Sequence, residues 1–459
     1  MLRVSRPVCM ASSRALSQIP LTGADCFLRA FDAEVRRTAG SSHLSQLVLR
    51  LGSGFDLDRL KKLLIEVAQA QPLLRAPIRR PWGVLPPVYR TDRAEQALLP
   101  RIEVHDVAAP RGSQGEMIPL VFGARLNDRF DGRRGELLRC DVVRFDGGAS
   151  GSDVAFTWLH MLFDGSGSER FVRWLDEVGR GLRRASELPE EAQVGGAAAL
   201  ASAKARGDQA QRWQARMRSF AVRSPRSLAG PLARTRQQLG YELLTFAPVE
   251  TARIVARAKQ SAGFLTPTLF YLAASLRAHH AVLRARGVEP GSYVVPLPVN
   301  LRAKGGQGEL FGTRISLVWF QVFPEQVESF AGLVSELKAQ RLAAIKEGLV
   351  EAGSAAMDFA RWLPRRFYAG MARRAFHGEL CSFFFAYTDE FLPGMTSFLG
   401  APIRNAFHAP SVPPSPGSGV VFSLREGRLN FTHVRQAGVF SDAELAIFGA
   451  ALRADLLGA

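Results

Sequence analysis

The stretch Leu159-His160-Met161-Leu162-Phe163-Asp164-Gly165 sets an imidazole, a carboxylate four positions on and then a glycine between an apolar run and a segment of helical periodicity. Imidazole is the side chain whose ordinary pKa lies nearest neutrality, so a histidine at a strand terminus can take a proton from an alcohol, amine or thiol with little tuning. Asp164 is too near in sequence to hold that ring as a triad carboxylate would. Its expected role is to point away and pin the turn by pairing with an arginine. Gly165 is expected to supply the backbone freedom for a sharp turn. The plainer alternative is a structural histidine hydrogen-bonded at a strand end, and the spacing alone does not decide against it.

Other constellations are poorer. His279-His280 has no Asp-Gly at the required offset and sits in a helical stretch, which suits surface or packing histidines. No GxSxG elbow of a serine hydrolase occurs. Gly165-Ser166-Gly167 lacks the third glycine and the lysine of a phosphate loop. Cys9, Cys26, Cys140 and Cys381 lie far apart, without zinc or redox spacing, so reduced thiols and a cytoplasmic location are expected.

The elements that must position the histidine read as follows. Val154 to His160 forms a strand, joined across a Gly/Ser/Asp turn at 146–153 to a strand in which Leu138, Cys140 and Val142 alternate with Arg139 and Asp141. After Gly165, Phe171, Leu175, Val178 and Leu182 recur at helical steps. Upstream, LSQLVLRL is a strand, and FDLDRLKKLLIEVAQAQPLL is a helix that Asp56 or Asp58 could cap and Pro72 would stop. A Pro-rich loop at 77–87 leads into a weak region up to about residue 124.

Residues 186–240, rich in Ala, Gly, Gln, Ser and Arg, read as a linker or crossover between an N-terminal half at 20–185 and a C-terminal half at 241–459. In the latter, YELLTFAPV, YVVPLPVNLR, ISLVWFQVF and CSFFFAYTDEF read as strands, and GVVFSLREGRLNFTHV as a hairpin around Glu426-Gly427. Helices are expected from about Pro248, from Pro267 to Arg286, over SFAGLVSELKAQRLAAIKEGL and from Ser441. Alternating strands and helices in both halves predict α/β layers.

At 459 residues the chain fits two large units. Its net charge of +17 is mostly arginine and spread along the chain, with no nucleic-acid-binding motif, so the expected anionic partners are phosphates, carrier proteins or membrane surfaces. Phe359 to Phe376 interleaves Trp362, Leu363, Phe367, Tyr368 and Met371 with five arginines. It could rest on an anionic membrane or be a packed helix with a solvated basic face. No apolar run reaches the roughly 18 residues a membrane span needs. Residues 1–19 are expected to be disordered or a leader, since no acid and several arginines and serines occur there.

The His160 segment resembles the HHxxxDG motif of the CoA-dependent acyltransferase superfamily, which holds chloramphenicol acetyltransferases, condensation domains of nonribosomal peptide synthetases and wax ester synthase/diacylglycerol acyltransferases. PLTGADCFL and PLPVNLR are similar to segments of the wax-ester branch, and FDLDRLKKLLIEVAQAQPLLRA and LNDRFDGRRGELLRCDVVR to condensation-type proteins. The resemblance runs from about residue 20 to the C-terminus. It implies two α/β halves with a tunnel between them, and a general base at His160, with Leu159 standing where the family has its first histidine. Asp164 and Gly165 then have structural roles. Arg302 is the candidate partner of Asp164, the alternative being a solvent-facing loop arginine, and Asn300 could orient substrate or donate to an oxyanion.

The implied reaction moves an acyl group from acyl-CoA, a co-substrate, to an alcohol, as in wax ester or diglyceride synthesis, and needs no covalent intermediate, metal or further cofactor. Two alternatives are a stand-alone condensation-type protein that takes its acyl group from an acyl carrier protein and gives it to an amine or alcohol, and a non-catalytic binding protein of the same fold. The HxxxxD spacing of glycerolipid acyltransferases and the DFGWG motif of plant-type members are not met.

Overall fold

The computed structural model describes residues 17–111, 118–189, 203–230, 238–263, 266–302, 310–364, 367–368, 370, 374 and 376–458. Helix α1 (Gly23–Thr38) opens the first half on a reciprocal cap in which Thr22 and Asp25 satisfy each other's backbone N–H groups. Strand β1 (Leu44–Leu51) leads into helix α2 (Leu57–Ala70), for which Asp56, not Asp58, accepts from the first-turn N–H of Arg59 at 2.8 Å. Strands β2 (Arg101–Val107), β3 (Leu138–Phe145) and β4 (Ser152–Leu159) follow, then helix α3 (Gly165–Gly179). Strand β2 lies in the region whose pattern was too weak to read, because none of its side chains is fully buried and alternation is lost. Helix α3 ends before Leu182, which is 66% exposed and not part of the buried stripe.

The segment 186–240, expected as a plain connection, contains helix α4 (Ala203–Phe220), while 190–202 and 231–237 lie outside the described residues. Its sequence is arginine-rich with little apolar periodicity, so its partner is what makes it legible. Strand β5 (Leu239–Thr245), helices α5 (Pro248–Ala262) and α6 (Pro267–Ala285), and the hairpin β6 (Tyr293–Asn300) with β7 (Ile315–Val322) come next. Helices α7 (Phe330–Lys346) and α8 (Leu349–Ala360), strands β8 (Phe384–Glu390), β9 (Ala401–Pro410), β10 (Ser418–Arg425) and β11 (Arg428–Gln436), and helix α9 (Asp442–Leu457) complete the chain. Helix α4 packs on α8.

Two cores result. In the first sheet the neighbours run β9, β1, β4, β3, β2, with the two-residue strand Ser397–Phe398 outside β9. Residues 397–410 of the second half therefore lie in the first sheet, where β9 pairs antiparallel with β1. Strands β1 and β4 are buried at every position, Ser45, Gln46 and Arg50 of β1 included, so the polar positions of β1 do not mark a solvent face. The second sheet runs β8, β10, β11, β5, and α6 is buried nearly all round against it. Of the expected leader, residues 1–16 lie outside the described residues, while Ile19 and Pro20 already pair with Tyr89 and Val88.

Candidate active site

Strand β4 ends at Leu159 opposite Leu44, so His160 and His43 face each other one residue beyond the ladder, where the His160 N–H donates to the His43 carbonyl at 3.2 Å. Their rings stack at 5.2 Å between centroids. His43 is buried and shares a 2.9 Å hydrogen bond through Nδ1 with Ser411 Oγ, just past the end of β9. On β9 itself, buried His408 shares a 2.8 Å hydrogen bond through Nε2 with Ser168 Oγ.

His160 keeps partial access to solvent, whereas every residue from Met161 to Asp164 is buried. Its Nδ1 is enclosed and makes no full hydrogen bond, leaving Nε2 as the nitrogen available to a substrate. Burial lowers the His160 pKa below its ordinary value, against a partial pull upward from its own carbonyl, Asp164 and the Phe163 carbonyl. Burial also holds His43 well below its ordinary value and His408 at about 3, with His160 as a further cause in both. The three neighbouring imidazoles are thus neutral at pH 7, the state a general base requires.

Asp164 is the N-cap of α3, its Oδ1 accepting from the Gly167 N–H at 2.8 Å. Its Oδ2 accepts from Arg302 Nη1 at 2.5 Å and from the Arg314 N–H at 2.8 Å, and the two charged side chains are only 5% and 2% exposed. The structure therefore places Arg302, which follows β6, in an internal ion pair and not facing solvent. Asn300 uses both ends of its amide locally: Nδ2 donates to Ser166 Oγ at 3.0 Å and Oδ1 accepts from the Arg302 N–H at 3.0 Å. Those bonds hold the β6 end to the mouth of α3.

Gly165 is not in the left-handed region, so it is not there for a sharp turn. A Cβ at that position would touch His408 Cε1 at 3.4 Å. The tighter approach is at Gly167, whose Cβ would lie 2.7 Å from the Leu310 carbonyl oxygen. The segment Leu310 to Arg314 comes this close because the Gly312 N–H donates to the Leu162 carbonyl and the Thr313 N–H to Asp25 of α1, both at 2.8 Å.

An apolar cavity of about 650 Å³ has Phe27, Phe31, Trp213, Met217, Trp319 and Phe384 in its wall. Phe31 also meets His43 edge-on at 5.7 Å, linking the cavity to the stacked histidines. Of the 359–376 segment, positions 365, 366, 369, 371–373 and 375 lie outside the described residues. Phe359, Trp362 and Phe367 are exposed, while Tyr368 and Phe376 are buried at the cavity. His279 and His280 are packing residues: His279 stacks on Phe383 at 3.9 Å and is held at about 4 by burial, and His280 bonds Tyr293. Glu103, His105 and Asp141 come together as potential ligands, but Arg125 already pairs with both carboxylates.

No protein-family model matches the sequence, and no curated protein matches it. Solved structures do. The first condensation domain of the calcium-dependent antibiotic synthetase, in complex with a substrate analogue, aligns at a TM-score of 0.67 and 17% identity over 97% of this chain and 96% of that one. The chain has the condensation-domain fold. It consists of two α/β lobes with mixed sheets and a tunnel between them. The condensation domain from Monacolin K polyketide synthase aligns at 0.62 and 16% identity over 96% and 97% of the two chains. Trichothecene 15-O-acetyltransferase from Fusarium sporotrichioides aligns at 0.66 and 11% identity over 97% of each.

These findings correct the expectation of a coenzyme A-using, wax ester synthase-like enzyme of lipid metabolism. The structures that this chain resembles are mainly condensation and epimerization domains of peptide and polyketide synthetases. The segments that suggested the wax-ester branch have an architectural cause: PLTGADCFL begins α1 on its Thr22 cap, and PLPVNLR is the end of β6 carrying Arg302 to Asp164.

Proposed function

We propose that this protein is a condensation-type acyltransferase that takes an acyl group from a thioester on a carrier protein and passes it to an amine or an alcohol, with His160 as general base. The observation that supports this most directly is a neutral imidazole with partial solvent access, at the tip of β4, beside a turn fixed by a buried Asp164–Arg302 pair. His160 Nε2 takes the proton of the nucleophile as it attacks the thioester carbonyl. The tetrahedral intermediate then collapses and expels the sulfur, which leaves as a thiol with that proton. Asp164, Gly165 and Arg302 position the turn, and Asn300 secures the β6 end against it. The apolar cavity beyond His43 takes an apolar part of the acyl or acceptor group.

The test offers the purified chain an acyl group on a carrier protein, and the same group on coenzyme A, with a panel of amines and alcohols, and follows product by mass spectrometry. Turnover is expected with the loaded carrier, and His160→Ala should lower it by about 10²–10⁴-fold with an unchanged circular dichroism spectrum. Full activity in His160→Ala, or no product from any loaded carrier, refutes the proposal.

A further inference from the structure

With His160 taking the proton of the nucleophile, the other charge of the reaction still has no partner. As the nucleophile attacks a thioester, the carbonyl π pair moves onto oxygen, and the resulting oxyanion calls for a hydrogen-bond donor. Asn300, the donor that the sequence offers, is turned to Ser166 and to the Arg302 N–H. A donor that faces the His160 ring more directly is His43.

His43 stands opposite His160, one residue past the Leu44–Leu159 pair, and opposite residues of an antiparallel pair project from the same face of the sheet. Their rings are tilted by only 27°, with centroids 5.2 Å apart. Each ring keeps Nδ1, the nitrogen nearer the backbone, inside: that of His160 is enclosed, and that of His43 meets Ser411 Oγ at 2.9 Å. The two Nε2 atoms therefore lie on the backbone-remote edges of neighbouring rings.

Ser411 decides which nitrogen of His43 carries the proton. Its Oγ already accepts from the Leu44 N–H at 2.8 Å, so its hydroxyl hydrogen is left to find an acceptor. Ser411 is 3% exposed, and among the described residues the acceptor it meets is His43 Nδ1. Were the proton on Nδ1, the Ser411 hydroxyl would be a buried donor without an acceptor, which is unfavourable. The proton of His43 is therefore on Nε2. That nitrogen has no partner among the described residues, although His43 itself is 3% exposed. Burial holds the ring well below its ordinary pKa, so it stays neutral with this single N–H. Asp32 fixes the backbone beneath it by accepting from the His43 N–H at 3.1 Å.

On the acyl-transfer reading of this site, we propose that His43 is a second catalytic residue, whose Nε2–H donates a hydrogen bond to the thioester oxygen as it becomes an oxyanion. The nucleophile and that oxygen sit on one carbon, and rings 5.2 Å apart can each reach one of them through a bond of about 3 Å. His160 Nε2 takes the proton of the nucleophile, while His43 keeps its own. When the intermediate collapses, the electron pair returns to the carbon–oxygen bond, the carbon–sulfur bond breaks, and the sulfur leaves with the proton that His160 held.

Two measurements test this. The full chain labelled with nitrogen-15 histidine, its His43 signals identified by their loss in His43→Gln, should show the Nε2–H tautomer in two-bond nitrogen–proton spectra at pH 7. An Nδ1–H tautomer or an imidazolium at His43 overturns the inference without touching the role of His160. In the loaded-carrier assay, His43→Met should lower kcat by about 10²–10³-fold, with KM within about twofold and an unchanged circular dichroism spectrum. His43→Gln, whose amide restores a donor, should recover about tenfold or more of that loss. A kcat for His43→Met within about threefold of the unaltered chain, a loss confined to KM, or a loss that His43→Gln does not recover overturns the inference and leaves His160 as the base. Absence of turnover in the unaltered chain, or full activity in His160→Ala, removes the acyl-transfer reading and this inference with it.

Discussion

Removing the Asp164 carboxylate should cost more than removing the Arg302 guanidinium, although the two form one pair. In Asp164→Ala, Arg302 loses its carboxylate partner at 2% exposure, and breaking a buried pair in this way costs about 3–5 kcal/mol. The same substitution removes the cap of α3, worth about 1 kcal/mol more. In Arg302→Met, the carboxylate keeps two donors, the N–H groups of Gly167 and Arg314, so the loss is nearer that of one charged hydrogen bond, about 2–3 kcal/mol. The double variant leaves no buried charge to strand and should cost no more than Asp164→Ala alone, a coupling of at least about 2 kcal/mol. Urea unfolding of the four proteins, followed by circular dichroism, measures this cycle. Additivity within about 0.5 kcal/mol, or a larger loss in Arg302→Met, would refute the assignment of the pair as the brace of the turn.

Burial places the His160 pKa below its ordinary 6.5, so the unprotonated base is the main form at pH 7. The kcat/KM profile for acyl transfer should therefore be flat on its alkaline side and fall as pH drops through a value under 6.5; an acidic limb centred above 6.5 contradicts the buried-base reading. Gly167→Ala should destabilise the protein by about 1–3 kcal/mol, because a backbone carbonyl must give way, whereas Gly165→Ala should cost less than 1 kcal/mol. Thermal unfolding of the two variants compares them, and the reverse order would show that the turn, not the close approach of Leu310, is what requires glycine.

The site is legible only in part because its residues come from four separated stretches. His160, Asp164 and Gly165 carry a local spacing, and Arg302 and Asn300 follow an apolar strand, so each has a signal in its own neighbourhood. His43, Ser168, His408 and Ser411 carry none. The first stands alone before β1, and His408 and Ser411 lie about 250 residues beyond the motif and reach it through the β9–β1 pairing. Helix α4 was likewise hidden, since its apolar contacts depend on α8 and the cavity between them.

What the sequence determines by itself is local: the strand that ends at His160, the helix that Asp164 caps, and the alternation that commits both halves to α/β layers. These follow from side-chain periodicity and capping, which act over a few residues. What only tertiary structure decides is which distant groups share an environment. The neutral state of His160, the stacked His43 and the internal position of Arg302 all depend on burial and strand register, and both are set by contacts hundreds of residues apart.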